Sequence, residues 1–418
     1  MALFYYFSVF VLKLGLYGSS VFSARSRRLI AGQRGVFDAI DKFVAASPSV
    51  SARFWFHCAS LGEFEQGRPV MEALRRQYPT CQIVLTFFSP SGYEVRHNYA
   101  GANWVSYLPL DGWRSARRFV ELIEPTMAFF IKYEFWYGYL QALQERRIPS
   151  LSVSTLLLPT STPFRWYGGL HRKMLRMMSH YFVQNSQTAT LLKELDVTNV
   201  TVSGDTRFDR AAALCRHAEE VPLAAAFKQS ERVLVIGSSW PEDLDLLLPF
   251  IQEFADEVKF IIAPHQIVEE EIERIEEAIP YKTTRYSQAS KNTVSNYRVL
   301  IIDNVGMLTS LYRYGDFAYV GGARGKGLHN VLEPATFGMP IYFGDQRYQQ
   351  AQEANALLKL EGAFTVRDTK ELRHKFLLLH RNEEKRQAVA TITQQFVQDN
   401  TGATEKVMNY VKQYLNRA

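Results

Sequence analysis

A chain of 418 residues exceeds the roughly 250–300 at which one hydrophobic core stops growing, so about two domains are expected and a small stapled scaffold is excluded. With 47% hydrophobic and 22% charged residues, and 24 Gly and 16 Pro spread without period, the composition is globular, which excludes wholesale disorder and collagen-like repeats. The formal charge of +6 is unevenly spread: residues 1–210 carry 24 Lys+Arg against 15 Asp+Glu, the remainder 24 against 27. A basic first half suits an anionic partner such as a phospholipid surface, a phosphorylated substrate or nucleic acid, and is equally a common way to keep a surface soluble.

Ala2 to Phe22 is apolar or aromatic apart from Ser, Gly and Lys13, and is followed by Arg25, Arg27, Arg28 and Arg34. No positive segment precedes the apolar run, which argues against a cleaved signal peptide. Arginines on the carboxyl side leave the rest of the chain in the cytoplasm under the positive-inside rule. The segment reads as a membrane anchor over 1–24, spanning or lying in the interface; the competing reading is the buried first helix of a soluble domain.

Short apolar runs then alternate with amphipathic stretches, the order of a parallel sheet covered by helices. Strands are expected at 54–59, 83–88, 104–108, 127–131, 151–154, 181–184 and 200–203. After Gly204-Asp205-Thr206-Arg207-Phe208-Asp209 a single alanine-rich helix is expected over 211–228. The rhythm restarts with strands at 233–237, 259–263, 299–302, 317–321 and 340–343. This is an α/β chain of two doubly wound Rossmann-like domains, 25–210 and 211–418, expected to face each other across a cleft. Cys58, Cys81 and Cys215 are far apart, so no disulfide framework or thiolate metal site is expected.

Five segments could carry chemistry. His57-Cys58-Ala59-Ser60-Leu61-Gly62-Glu63 ends a strand and opens a helix. Ser60 and Glu63 have capping-box spacing, so Glu63 is either a helix cap or a general base projecting from a strand's carboxyl end. Lys132-Tyr133-Glu134-Phe135-Trp136 ends another strand and places Lys132 and Glu134 near aromatics, as an ordinary ion pair or as site residues. In the second half, Val320 to Pro334 runs from a strand through a glycine-rich loop with Arg324 and Lys326 to a helix start capped by Asn330. It fits neither a Walker A loop nor a dinucleotide fingerprint, and is an anion site or a plain turn. Glu333 is placed to bind a vicinal diol. Ser238 and Ser239, before Trp240-Pro241-Glu242, and Pro264-His265 also end strands where a phosphate or base could be met. No acyl-transfer, kinase or DNA-binding signature is present, and no histidine pair has metal-helix spacing.

In combination these segments resemble the 3-deoxy-D-manno-octulosonic acid (Kdo) transferases of lipopolysaccharide synthesis. The match covers the apolar start with its arginines, His57–Glu63, Tyr133–Trp136, Gly204–Asp209, Val320–Gly322 and His329–Pro334. The resemblance implies a GT-B glycosyltransferase that moves Kdo, with inversion, from CMP-Kdo to a lipid A precursor at the cytoplasmic face of the inner membrane. It further implies an acceptor-binding first domain and a donor-binding second one whose last helix could pack back on the first, with no cofactor, metal or nucleic acid. By position, Glu63 resembles the family's catalytic base; Pro264, His265, Val305, Gly306, Met307, Asn330, Val331, Leu332 and Glu333 resemble its CMP-binding elements. The family often has Arg at the position of His265 and an acidic residue at that of Met307, so those side-chain contacts do not carry over. Alternatives are a transferase using a UDP-sugar and a non-catalytic nucleotide-sugar binding protein.

Overall fold

The computed structural model describes residues 2–47 and 51–417. Seven parallel strands form the first sheet: β1 (Arg53–Cys58), β2 (Gln82–Phe87), β3 (Trp104–Tyr107), β4 (Met127–Ile131), β5 (Ser150–Thr155), β6 (His180–Val183) and β7 (Val200–Val202), in the order β3-β2-β1-β4-β5-β6-β7. β1, β2, β4 and β5 are buried on both faces, which is why they read as unbroken apolar runs rather than alternating ones. The order reverses at β1, whose two neighbours are β2 and β4. A doubly wound sheet leaves a crevice outside the strands' carboxyl ends at such a point.

The second sheet is built likewise from β8 (Val233–Ser239), β9 (Lys259–Pro264), β10 (Thr283–Arg285), β11 (Val299–Ile301), β12 (Phe317–Val320), β13 (Ile341–Gly344) and β14 (Ala363–Val366), ordered β10-β11-β9-β8-β12-β13-β14. Its reversal lies at β8, between β9 and β12. Short β10 and β14 close its two edges. The single helix expected over 211–228 is two, Thr206–Arg216 and Pro222–Lys228. Pro222 lacks an N–H and stands in the first turn of the second, where it starts a helix rather than continuing one.

The chain divides into two compact units, one ending at Asp209 and resuming at Gly402, the other Arg210–Thr401. The final helix, Ala403–Leu415, thus belongs to the first unit. Its Val407, Met408 and Val411 are buried with Phe64, Val70, Met71 and Leu74. The Asp209 carboxylate fixes its start, accepting hydrogen bonds from Gly402 N and Thr404 N.

At the other end, α1 (Ala2–Ser19) is seated on the first unit. Tyr5 donates to the fully buried carboxylate of Asp111, which also accepts from Gly138 N and Tyr139 N, and the rings of Tyr5 and Tyr6 pack edge-on against Tyr137. The opposite face is bare: Phe4 is 72% exposed, with Leu3, Phe7, Val11 and Leu14 beside it, and Phe22 past the helix is 91% exposed. Among the described residues no helix is long and apolar enough to cross a membrane.

Candidate active site

In the first unit the reversal point gathers one cluster from β1 and β4. The helix Leu61–Gln77 starts directly after β1, and Glu63, in its first turn, turns back so that Oε2 accepts from Ala59 N and Ser60 N. The capping function is therefore real. It uses one oxygen. Oε1 makes no hydrogen bond to any described residue, although the residue is only 7% exposed. Burial, with Glu134 in support, raises the carboxyl to about 7 against the two amides and Lys132. A carboxylate poised at neutrality with one bare oxygen is suited to general-base work.

Around it, β4 contributes the Lys132 and Glu134 singled out from the sequence. Lys132 ends the strand at φ +69°, and its ammonium lies 5.1 Å from the Tyr133 ring centroid. Glu134 accepts from Trp136 Nε1 at 2.8 Å. His57, fully buried on β1, bonds Thr86 through Nδ1 at 3.0 Å, while its Nε2 stands 3.8 Å from Glu134, beyond hydrogen-bond reach. Sequence reasoning included His57 only as part of a segment, because its approach to Glu134 depends on β1 and β4 being sheet neighbours. Gly204–Asp209 has a fastening role: buried Asp205 accepts from Gln66 Nε2 and from Arg207, and Thr206 donates to the Gln66 carbonyl, pinning the helix that carries Glu63.

In the second unit the reversal point gathers the ends of β8, β9 and β12. At the start of helix Pro241–Phe254 the carboxylate of Asp243 turns back to accept from Trp240 N at 3.0 Å, so the cap is supplied by Asp243. Ser239 is instead in β8, with its hydroxyl sealed and unpartnered, and Ser238 is held at φ +53°. Asp243 is fully buried and accepts from Trp240 N, Gly322 N and Tyr319 Oη, locking the first loop to the glycine-rich one. No local motif marks Asp243 in the sequence.

Over this base lies an aromatic slab. Trp240 Nε1 donates to His329 Nε2 at 2.9 Å with the rings 6° from coplanar, and His265, following Pro264, stacks 4.4 Å from each. Burial holds His329 down at about 4. It is therefore neutral near pH 7, and the indole N–H places its own proton on Nδ1. Lys326 approaches the Trp240 ring at 5.9 Å. Arg324 is placed elsewhere than expected: its guanidinium donates to the carbonyls of Glu242 and Arg367, and its stem packs on Gly344. Lys326 is then the loop cation left to meet an anion.

The remaining donor candidates come together around Glu333. Its carboxylate accepts from Asn330 Nδ2 at 2.9 Å and from Thr309 Oγ1 at 2.7 Å, which draws 330–333 against the segment just after Val305, Gly306 and Met307. Val305 is exposed, Gly306 has φ +95°, and Met307 is partly buried against the core under β8. The helix expected to start at Asn330 begins at Leu332 and is only five residues long; Asn330 Oδ1 still accepts from Leu332 N, and Val331 and Leu332 are core residues. So short a helix contributes little dipole, and the loop amides and Lys326 are left to favour an anion.

Comparison with known proteins bears on the chain as a whole. Residues 31–210 match the family model described as 3-deoxy-D-manno-octulosonic-acid transferase (kdotransferase). The 3-deoxy-D-manno-octulosonic acid transferase of Haemophilus influenzae is 24% identical over 416 residues, 95% of this chain and 94% of the relative. That of Aquifex aeolicus is 27% identical over 326 residues, 76% and 83%. Over most of its length the chain is similar to the Kdo transferases, and these matches indicate a glycosyltransferase. At the level of fold, it is similar to the UDP-GlcNAc 2-epimerase of Neisseria meningitidis solved with UDP-GlcNAc, with TM-score 0.62 and 13% identity over 86% of this chain and all of that one. Two Rossmann-like units in one chain are the GT-B architecture.

Proposed function

We propose that this enzyme moves Kdo, with inversion, from CMP-Kdo to a phosphorylated lipid A precursor, working at the cytoplasmic face of the inner membrane. Glu63 is the general base. The observation that carries this is the division of labour within its carboxylate, with Oε2 fixed by two backbone amides and Oε1 bare. The attacking sugar hydroxyl must lose a proton, and a carboxylate near neutrality can take it. The leaving CMP phosphate is a weak base that needs no proton, only charge stabilisation from Lys326 and the amides of the glycine-rich loop. Glu333 and Asn330 receive the ribose side of the donor, while the 264–265 and 305–307 segments bound the base. In-line attack on the anomeric carbon with expulsion of CMP inverts the configuration. The bare face of α1 and the basic first half keep the enzyme at an anionic membrane where its lipid acceptor resides.

The test is product mass spectrometry and anomeric NMR after incubation with CMP-Kdo and a tetraacylated, bisphosphorylated precursor. Addition of Kdo with opposite anomeric configuration is expected. CMP release without acceptor, or turnover of a UDP-sugar, would overturn the assignment.

A further inference from the structure

Within α1 the half-buried positions are 5, 6, 9 and 16, a stripe that faces the first unit. Lys13 falls on that stripe, between Val9 and Leu16, yet it is exposed and has no ion-pair partner among the described residues. The reason is an open cavity of about 650 Å³ beneath the helix, walled by Leu3, Val9, Phe10, Leu110, Trp113 and Tyr137, with Lys13 the single charged residue on its wall. A smaller cavity of about 210 Å³ shares Lys13, Leu110 and Ser115 with it and adds Arg34.

The groove is open and its wall is mostly apolar, with Tyr6, Ser115, Tyr137 and Gln141 as its uncharged polar groups, so covering it with hydrocarbon is favourable. The cavity opens beside the bare apolar face of α1, so in a bilayer its mouth meets hydrocarbon. One cation on an apolar wall is complementary to one class of molecule, an amphiphile with a single anionic head. We propose that this groove is a binding site for an anionic glycerophospholipid of the bilayer, one acyl chain lying under α1 between Val9 and Trp113 and the phosphate on Lys13. The site rests on the reading of α1 as an interfacial helix. Glu63, Lys132 and Glu134 are not among the residues that line it, and it gives α1 a lipid-dependent seat beside the Tyr5–Asp111 bond.

The experiment uses the full chain with phosphatidylcholine vesicles containing phosphatidylglycerol whose acyl chains carry bromine, a short-range quencher. Flotation reads membrane binding and tryptophan emission reads the groove, with Trp113→Phe identifying the share due to Trp113. Quenching of Trp113 is expected, as is retention of one phosphatidylglycerol per chain in native mass spectra of detergent-purified protein. Val9→Phe, which narrows the groove, is expected to float as the parent does while losing both signals. Lys13→Gln is expected to bind the anionic vesicles roughly fivefold more weakly. Failure of the parent to float overturns the membrane reading and the site together. Flotation without Trp113 quenching, or quenching unchanged in a folded Val9→Phe, overturns the site alone. Quenching by brominated acceptor but not by brominated phosphatidylglycerol overturns it in favour of an acceptor subsite.

Discussion

Each unit carries an acidic residue at the same structural address, the third residue of the helix that follows the strand at the sheet's reversal point. In the first unit it is Glu63 and in the second Asp243. Both cap their helices, both are buried, and burial pushes both carboxyls upward. They differ in what is left over. Asp243 accepts three hydrogen bonds through both oxygens, from Tyr319 on one and from two backbone amides on the other. Glu63 places both of its amide contacts on one oxygen. The lesson is that the amides take a single oxygen in either unit and the second oxygen decides what else the carboxylate can do: Tyr319 takes it in Asp243, and no described residue takes it in Glu63.

The strongest way to break the comparison is Glu63→Gln. Glutamine still accepts the two amides but cannot take a proton, so turnover is expected to fall about 10²- to 10⁴-fold. The melting temperature and CMP affinity should stay near those of the parent. Near-parental turnover would reduce Glu63 to a cap like Asp243.

The second unit has its own half-buried carboxylate in Glu333. Glu333→Ala is expected to weaken CMP binding about 10- to 100-fold by calorimetry, the equivalent of ~1.5–3 kcal/mol for a charged hydrogen bond. Unchanged affinity in a folded variant would leave Glu333 as a tie between Asn330 and Thr309. Asp243→Ala should behave oppositely, lowering stability in urea unfolding by ~1–3 kcal/mol through its stranded donors. Its effect on the catalytic step should be small once donor saturates.

The pH dependence sharpens the contrast further. Turnover needs Glu63 ionised, so kcat/KM is expected to rise with pH through about 7, and the residual rate of Glu63→Gln should lack that limb. Stability runs the other way. A carboxyl held protonated in the folded state up to about 7, against an ordinary 4.5, makes folding less favourable as pH rises between those values, and Glu63→Gln should flatten that decline. The smallest effect is expected of Glu65→Gln. Glu65 pairs with Arg96 at 3.1 Å in a partly exposed bridge worth about 0–1 kcal/mol, and turnover should stay within about twofold of the parent.

The two units also differ in how much the sequence revealed. The strands on either side of both reversal points are apolar runs, and every one of them was legible. Thr283–Arg285 was not, because three polar residues at a sheet edge carry no apolar period, and Ala363–Val366 was missed as a four-residue edge strand. In the site, Glu63, Glu134 and Glu333 stood out through local motifs. The slab of Trp240, His265 and His329 did not, since its members lie up to 89 residues apart and meet only because β8 separates β9 from β12. Arg324 was misread because a cation in a glycine loop resembles an anion contact until Glu242 and Arg367 are seen to claim it.

The return of the final helix to the first unit has a consequence for biosynthesis. Phe64, Val70, Met71 and Leu74 are covered by Val407, Met408 and Val411, which the ribosome makes only after the whole second unit. At about 5–20 residues per second, the roughly 190 residues from Arg210 to Thr401 impose a wait of about 10–40 s. During that interval the half of the protein made first holds an apolar strip open on the very helix that carries Glu63. The older half therefore matures last, and nascent chains stalled before residue 402 should be the species that chaperones and proteases meet.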